Sequence, residues 1–133
     1  MTFSILTVDD AKGLRLMVAK ALLPFACKAR EATNGFNAFF AIEHERPDLI
    51  LLDINMPVMD GLETLSRLKR TPEIAAIPVI MLASPADHAV LSDLKARGAS
   101  GLLIKPFTAE ALLREIAQVL PLREKSTGSQ GAK

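Results

Sequence analysis

The chemistry-bearing residues of this chain gather at the ends of three apolar runs. Leu49-Ile50-Leu51-Leu52 is closed by the carboxylate of Asp53, and Pro57 and the Asp60-Gly61 pair follow shortly after. Four consecutive apolar residues read as a strand buried on both faces, and Pro57 with Asp60-Gly61 forbids its continuation. Asp53 is therefore expected at the carboxyl end of a strand, at the mouth of a loop. A second acidic pair, Asp9-Asp10, ends the run from Phe3 to Val8, and Lys105 ends the run from Gly101 to Ile104. In open α/β sheets ligands bind beyond the carboxyl ends of the strands. Three carboxylates and one ammonium at equivalent ends would converge there as a polar ligand site with Asp53 at its centre. Each residue also has a plainer reading: Asp53 as cap of the next helix, Asp9 or Asp10 as N-cap of the first, and Lys105 as a solvated lysine.

The rest of the chain supplies the neighbours that such a sheet needs. After Asp10 a helix is predicted with Leu14, Met17, Val18, Ala21 and Leu22 at i, i+3, i+4, i+7 and i+8, one face, and Pro24 closes it. Cys27 to Ala32 reads as a short strand whose charged alternation suggests a sheet edge, with Thr33-Asn34-Gly35 as a turn. A second helix, from about Gly35 to Glu45, turns Ala38, Phe39 and Ile42 inward, with Phe36 and Phe40 flanking and thickening that face. A third, from Leu62 to Arg70, uses Leu62, Leu65 and Leu68, and Val79 to Ala83 is a further buried strand opened by Pro78. A fourth helix is expected from about Asp87 to Arg97 with Gly98 as its cap. Thr108 is placed to N-cap a last helix bearing Leu112, Leu113, Ile116 and Leu120. Strand and helix alternate five times, which predicts an α/β fold: a doubly wound, five-stranded parallel sheet with right-handed crossovers and helices on both faces.

Composition narrows the function classes. The 133 residues suit one domain, expected over residues 1–122, and residues 123–133 have so little to bury that a disordered tail is expected. Sixteen basic against fifteen acidic residues leave a net charge of +1, so direct nucleic-acid binding is not expected, and Lys12, Arg15 and Lys20 are too spread to form a basic cluster. The single Cys27 cannot form an internal disulfide, which suits a reducing compartment. No apolar segment approaches the length of a membrane span and the amino terminus lacks a signal-peptide pattern, so a cytoplasmic protein without membrane insertion is expected. His44 and His88 lie among polar neighbours and read as surface residues.

The residues that carry the site also carry a resemblance. Val8-Asp9-Asp10, the Asp53 segment with Pro57 and Asp60-Gly61, and Lys105-Pro106 occur in the order and elements of a response-regulator receiver domain. Over residues 3 to 120 the chain resembles that family in its stand-alone, CheY-like form. The resemblance implies the flavodoxin-like strand order 2-1-3-4-5. It implies that Asp53 accepts a phosphoryl group from a sensor histidine kinase or phosphotransfer protein, forming an acyl phosphate. It implies that Asp9, Asp10, Asp53 and the main-chain carbonyl of Asn55 hold one Mg²⁺, and that Lys105 contacts the phosphoryl group. Physical chemistry agrees: three close carboxylates repel one another unless a cation sits among them, and hard oxygen ligands suit Mg²⁺. A lysine adds a second positive charge for the phosphoryl oxygens.

Two positions depart from the family pattern, and both concern the switch. The residue matching the usual Thr or Ser at the end of the fourth strand is Ala83. Ser84 follows, but a shift of one residue turns a side chain to the opposite face. The aromatic switch residue of the fifth strand is matched by Leu102. Weaker coupling between the site and the surface of the fourth helix, fifth strand and fifth helix is expected.

The function implied is a two-component phosphoacceptor: a signalling protein, not an enzyme on other substrates, that catalyses its own phosphorylation and dephosphorylation. Without an output domain it is expected to act through a downstream target protein, or as a phosphorelay or sink. The alternative is a constitutive interaction module with a weakened switch, for which Ala83 and Leu102 argue. A hydrolase of the haloacid-dehalogenase kind is disfavoured, because the residue two beyond the nucleophile is Asn55 where such enzymes carry a second Asp, and because the chain lacks a cap domain.

Overall fold

A computed structural model of the chain describes residues 2–125. Five strands, β1 (Phe3–Val8), β2 (Cys27–Ala32), β3 (Leu49–Asp53), β4 (Val79–Ala83) and β5 (Gly101–Ile104), form one sheet in the order β2-β1-β3-β4-β5. All four pairings are parallel. The helices between them are α1 (Lys12–Leu22), α2 (Gly35–His44), α3 (Gly61–Arg70), α4 (His88–Leu91) and α5 (Ala109–Ala117).

Alternation along the strands sorts the core into two layers, because successive side chains of a strand point to opposite faces. Ile5, Leu49, Leu51, Ile80, Leu82 and Leu103 pack with α1 and α5 through Val18, Leu22, Leu112 and Ile116. Leu6, Val8, Ile50, Leu52, Val79 and Met81 pack on the other face with Ala38 and Ile42 of α2 and Leu65 and Leu68 of α3. Every residue of β3 and β4 is buried, which is why both read as continuous apolar runs. β2 stands at an edge with half-exposed, charged residues, as its alternation predicts.

Thr108 caps the last helix as expected, and two residues read from the sequence only as turn and loop signals, Asn34 and Asp60, are N-caps as well. Asn34 Oδ1 accepts the Asn37 N–H at 2.8 Å to cap α2, Asp60 Oδ1 accepts the Glu63 N–H at 2.9 Å to cap α3, and Thr108 Oγ1 accepts the Ala111 N–H at 3.0 Å to cap α5. On α1 only Val18 and Leu22 are fully buried, while Leu14, Met17 and Ala21 pack half-exposed at the margin. Cys27 is likewise half-buried.

Three features differ from the sequence reading. The fourth helix is a 3₁₀ turn over Pro85–Asp87 and a single α-helical turn, His88–Leu91, followed by turns up to Gly98 at φ +102°. Val90, Ser92 and Asp93 are weak helix formers, and only Leu94 of this segment is fully buried, so little packing holds a longer helix. Phe36 and Phe40 do not thicken the inward face of α2; they are 51% and 68% exposed. At the carboxyl end, Phe25 and Glu124 form an antiparallel bridge, with the Ala26 N–H donating to Arg123 O at 2.7 Å and the Lys125 N–H to Pro24 O at 2.8 Å. Residues 123–125 of the expected tail are thus paired through the main chain, and residues 126–133 lie outside the described residues.

Candidate functional site

β1, β3 and β5 deliver their terminal residues to one edge of the sheet. Asp9 follows the last residue of β1 and is fully buried, Asp53 is the last residue of β3 and is buried, and Asp10 is exposed. One carboxylate oxygen from each of Asp9, Asp10 and Asp53 lies within 4.8 Å of the others. Lys105 enters from the end of β5, its N–H donating to Ala83 O at 2.7 Å and its peptide bond to Pro106 cis. Its ammonium lies 2.8 Å from Asp9 Oδ2 and 3.2 Å from Asp53 Oδ1.

The plainer readings of these residues are not what the structure shows. Ala11 occupies the N-cap position of α1 and no side chain caps it there, although Asp9 Oδ1 accepts the Ala11 N–H at 2.8 Å. Asp60, not Asp53, caps α3. Lys105 bridges two carboxylates and is only 27% exposed. Arg15 supports the same corner, donating to Asp9 O at 2.7 Å while its Nε pairs with Glu31.

Electrostatics make the site unbalanced. Burial and the nearby Asp9 charge push the Asp53 carboxyl up to about 6, against the opposing pull of Lys105 and of the Asn55 N–H, 3.3 Å from Asp53 Oδ1. Burial disfavours the Lys105 ammonium, but its hydrogen bond to Asp9 and the charges of Asp53 and Asp9 outweigh this and hold its pKa above that of an ordinary lysine. One ammonium facing three carboxylates leaves a net negative hollow lined by hard oxygen donors. That donor set fits a small divalent cation such as Mg²⁺, for which Asp9, Asp10 and Asp53 are the protein ligands at hand.

The loops around the hollow are held close. The Gly61 N–H donates to Ile54 O at 2.7 Å, and a Cβ at position 61 would overlap the Asp53 carbonyl oxygen, so only glycine lets α3 start this near β3. Val58, exposed in the same loop, holds a left-handed φ of 71°.

Sequence reasoning passed over Asp87. Its carboxylate accepts from the Ser84 N–H at 2.8 Å, the Ser84 hydroxyl at 3.1 Å and the Asn55 side-chain amide at 2.9 Å, tying the loop after β3 to the loop after β4. Burial pushes this carboxyl up, but those bonds and the Lys105 charge together hold it below its ordinary value. The signal was present as Ser84-Pro85-Ala86-Asp87, the spacing of a capping box. Of the switch positions, Ala83 is fully buried in the layer that carries Leu6 and Met81, Leu102 packs half-exposed against that layer, and the Ser84 hydroxyl is engaged by Asp87.

Comparison with known proteins identifies the family. The family model described as response regulator receiver domain matches residues 5–117. The chain is 33% identical over 123 residues to sporulation initiation phosphotransferase F of Bacillus subtilis, covering 92% of this chain and 98% of that protein. It is 34% identical over 121 residues to the chemotaxis protein CheY of the same organism, covering 90% and 99%. Among solved structures, the chemotaxis response regulator CheY4 of Vibrio cholerae superposes with a TM-score of 0.83 at 32% identity, covering 90% of this chain and all of that one. The chain belongs to the response regulator receiver domain family, the phosphoacceptor module of two-component signalling. No described helix is long and apolar enough to cross a membrane.

Proposed function

We propose that Asp53 is the phosphoacceptor of this domain and that Asp9, Asp10, Asp53 and the Asn55 main-chain carbonyl hold one Mg²⁺. The observation that carries this reading is the single point at which three carboxylates meet the Lys105 ammonium. A carboxylate oxygen of Asp53 attacks the phosphorus of a phosphohistidine or of a small phosphodonor. The bond from phosphorus to the donor breaks with its electron pair leaving on the donor, and an acyl phosphate remains on Asp53. Lys105 then exchanges its contact with the Asp53 carboxylate for the incoming phosphoryl oxygens, keeping Asp9 as its second partner. Bound Mg²⁺ supplies charge neutralisation for the same oxygens. Dephosphorylation is a separate hydrolytic step: water attacks phosphorus, the P–O bond to Asp53 breaks with its electron pair returning to the carboxylate, and inorganic phosphate leaves while the proton of the water passes to solvent. Apart from the donor, water and the ion, the groups acting in both steps are this chain's Asp53 and Lys105, so in this reading the domain catalyses its own phosphorylation and dephosphorylation.

The partners in this reading are a sensor histidine kinase or phosphotransfer protein upstream and a separate target protein downstream, met by this domain in the cytoplasm. A constitutive interaction module is the second reading, favoured by Ala83, Leu102 and the engagement of Ser84 by Asp87. The deciding experiment is incubation with Mg²⁺ and acetyl phosphate, read by intact mass against Asp53→Asn. One added phosphoryl group, absent from the variant and without Mg²⁺, supports the phosphoacceptor. Absence of any adduct, together with failure of a beryllofluoride mimic to bind, supports the second reading.

A further inference from the structure

The face of the molecule formed by α2 and α3 carries a second feature, remote from the acid cluster in its chemistry. At their amino-terminal ends the two helices touch: a Cβ at Gly35 would overlap the Thr64 hydroxyl and come within 2.8 Å of the Met59 sulfur. Beyond that contact lies an open trough of about 570 Å³ walled by Phe36, Phe39, Met59, Arg67, Arg70 and Thr71. A smaller hollow that shares Phe36 and Phe39 lies beside it, against Phe40 and Glu43. Three of the six phenylalanines of the chain stand here, at i, i+3 and i+4 of one helix. The sequence of α2, Gly-Phe-Asn-Ala-Phe-Phe-Ala-Ile-Glu-His, is apolar around most of its circumference, the pattern of a covered helix. Yet Phe36 is 51% and Phe40 is 68% exposed.

Charge says what kind of cover the trough suits. Arg67 is paired with Glu63 at 2.7 Å, whereas Arg70 is exposed and forms no ion pair among the described residues, and Lys69 is turned inward on to Ala75 O and Ile77 O. The end near Arg67 and Arg70 is therefore net positive, and the smaller hollow beside it carries Glu43. We propose that this trough is a docking site for an amphipathic helical segment of a partner protein, its apolar stripe laid over Phe36 and Phe40 and a carboxylate directed to Arg70. In helix-in-groove recognition the inserted helix carries its own anchors at i and i+3 or i+4, and the exposed rings of Phe36 and Phe40, one turn apart on α2, are the apolar surface that would receive them. An aromatic anchor beside an unpaired arginine is the composition in which binding energy concentrates. The site is independent of phosphoryl chemistry at Asp53.

The test is photo-crosslinking in cells with p-benzoylphenylalanine replacing Phe40 in the full chain. Sequencing of the adducts by mass spectrometry follows, and the captured segment is synthesised and titrated against the purified protein. The expected result is an amphipathic segment bearing Asp or Glu beside its apolar stripe. Its affinity falls at least tenfold on Arg70→Glu and on Phe40→Ser, while phosphorylation of both variants by acetyl phosphate stays at the wild-type level. Both substitutions are at exposed positions, and circular dichroism verifies that each variant is folded. The proposal is overturned by any of four outcomes: no adduct, an adduct to a second copy of this chain, an adduct to residues 126–133 of the same chain, or a captured segment whose affinity ignores Arg70→Glu.

Discussion

Lys105 and Asp9 lie 96 residues apart in sequence and are joined by a 2.8 Å ion pair, shorter than the 3.2 Å contact of Lys105 with Asp53. The ammonium is thus anchored on the fully buried carboxylate and leans on the one proposed to react. Replacing Lys105 with methionine keeps an unbranched side chain of similar length and strands the Asp9 charge. Breaking a buried pair on one side costs about 3–5 kcal/mol. Because Lys105 is partly exposed, about 2–3 kcal/mol is expected for Lys105→Met at neutral pH, with part recovered by added Mg²⁺. Urea unfolding with and without the ion measures both, and an unchanged stability without the ion contradicts the arrangement.

Asp53 titrates at about 6 in the folded chain, above the unfolded carboxylate value of 3.8. The folded state therefore holds the proton more tightly. The associated stability is fully present below pH 3.8 and is lost as pH rises through 6. At pH 7.5 without divalent ions the ionised Asp53 is a liability, and Asp53→Asn is expected to raise stability by about 1–3 kcal/mol. The advantage of the variant should shrink towards zero on going down to pH 4. Unfolding curves of both proteins at the two pH values check the sign, and a less stable variant at pH 7.5 refutes it.

Asp10 differs from its neighbours in being exposed. Its removal leaves no buried partner stranded, so Asp10→Asn is expected to change the stability of the ion-free protein by less than about 0.5 kcal/mol. Loss of one anionic oxygen ligand should nevertheless weaken Mg²⁺ at least tenfold. Calorimetric titration of the ion, set beside ion-free melting curves, separates the two effects.

Gly61 sits where α3 meets the end of β3, and a methyl group there collides with the Asp53 carbonyl oxygen and comes within 2.7 Å of Ile54 Cα. Gly61→Ala is expected to destabilise the fold by about 1–3 kcal/mol, the usual cost of overpacking. Phosphorylation should slow as well, because relief of the clash displaces the residue that carries the carboxylate. Equal acetyl phosphate uptake by variant and wild type argues against so tight a fit.

Much of this architecture is legible in the residues, and the exceptions have physical reasons. β3 and β4 declare themselves as apolar runs because both faces are covered, and Thr108 declares a helix start because its side chain replaces a missing main-chain acceptor, whereas Asn34 does the same for α2 but reads from the sequence only as a turn. Lys105 is readable at a strand end, but that it chooses Asp9 over Asp53 depends on fractions of an ångström that no pattern encodes. The segment after β4 has apolar spacing compatible with eleven helical residues, yet only His88–Leu91 is α-helical, because spacing reports a face without reporting whether packing fills it. Phe36 and Phe40 look like core by residue type, and their spacing on α2 does not tell that no other element covers them. Asp87 went unread because its partners, Asn55 and Ser84, come from two different loops.

The bridge between Phe25 and Glu124 lies just before β2 begins, whereas the acid cluster lies just after β1 and β3 end. In a parallel sheet these are opposite rims, separated by the length of a strand, about 20 Å for six residues. A fluorophore, affinity handle or surface linker attached at Lys125 consequently starts from the rim opposite Asp53. Such a conjugate can be used to watch the phosphoryl site at work without standing in its doorway.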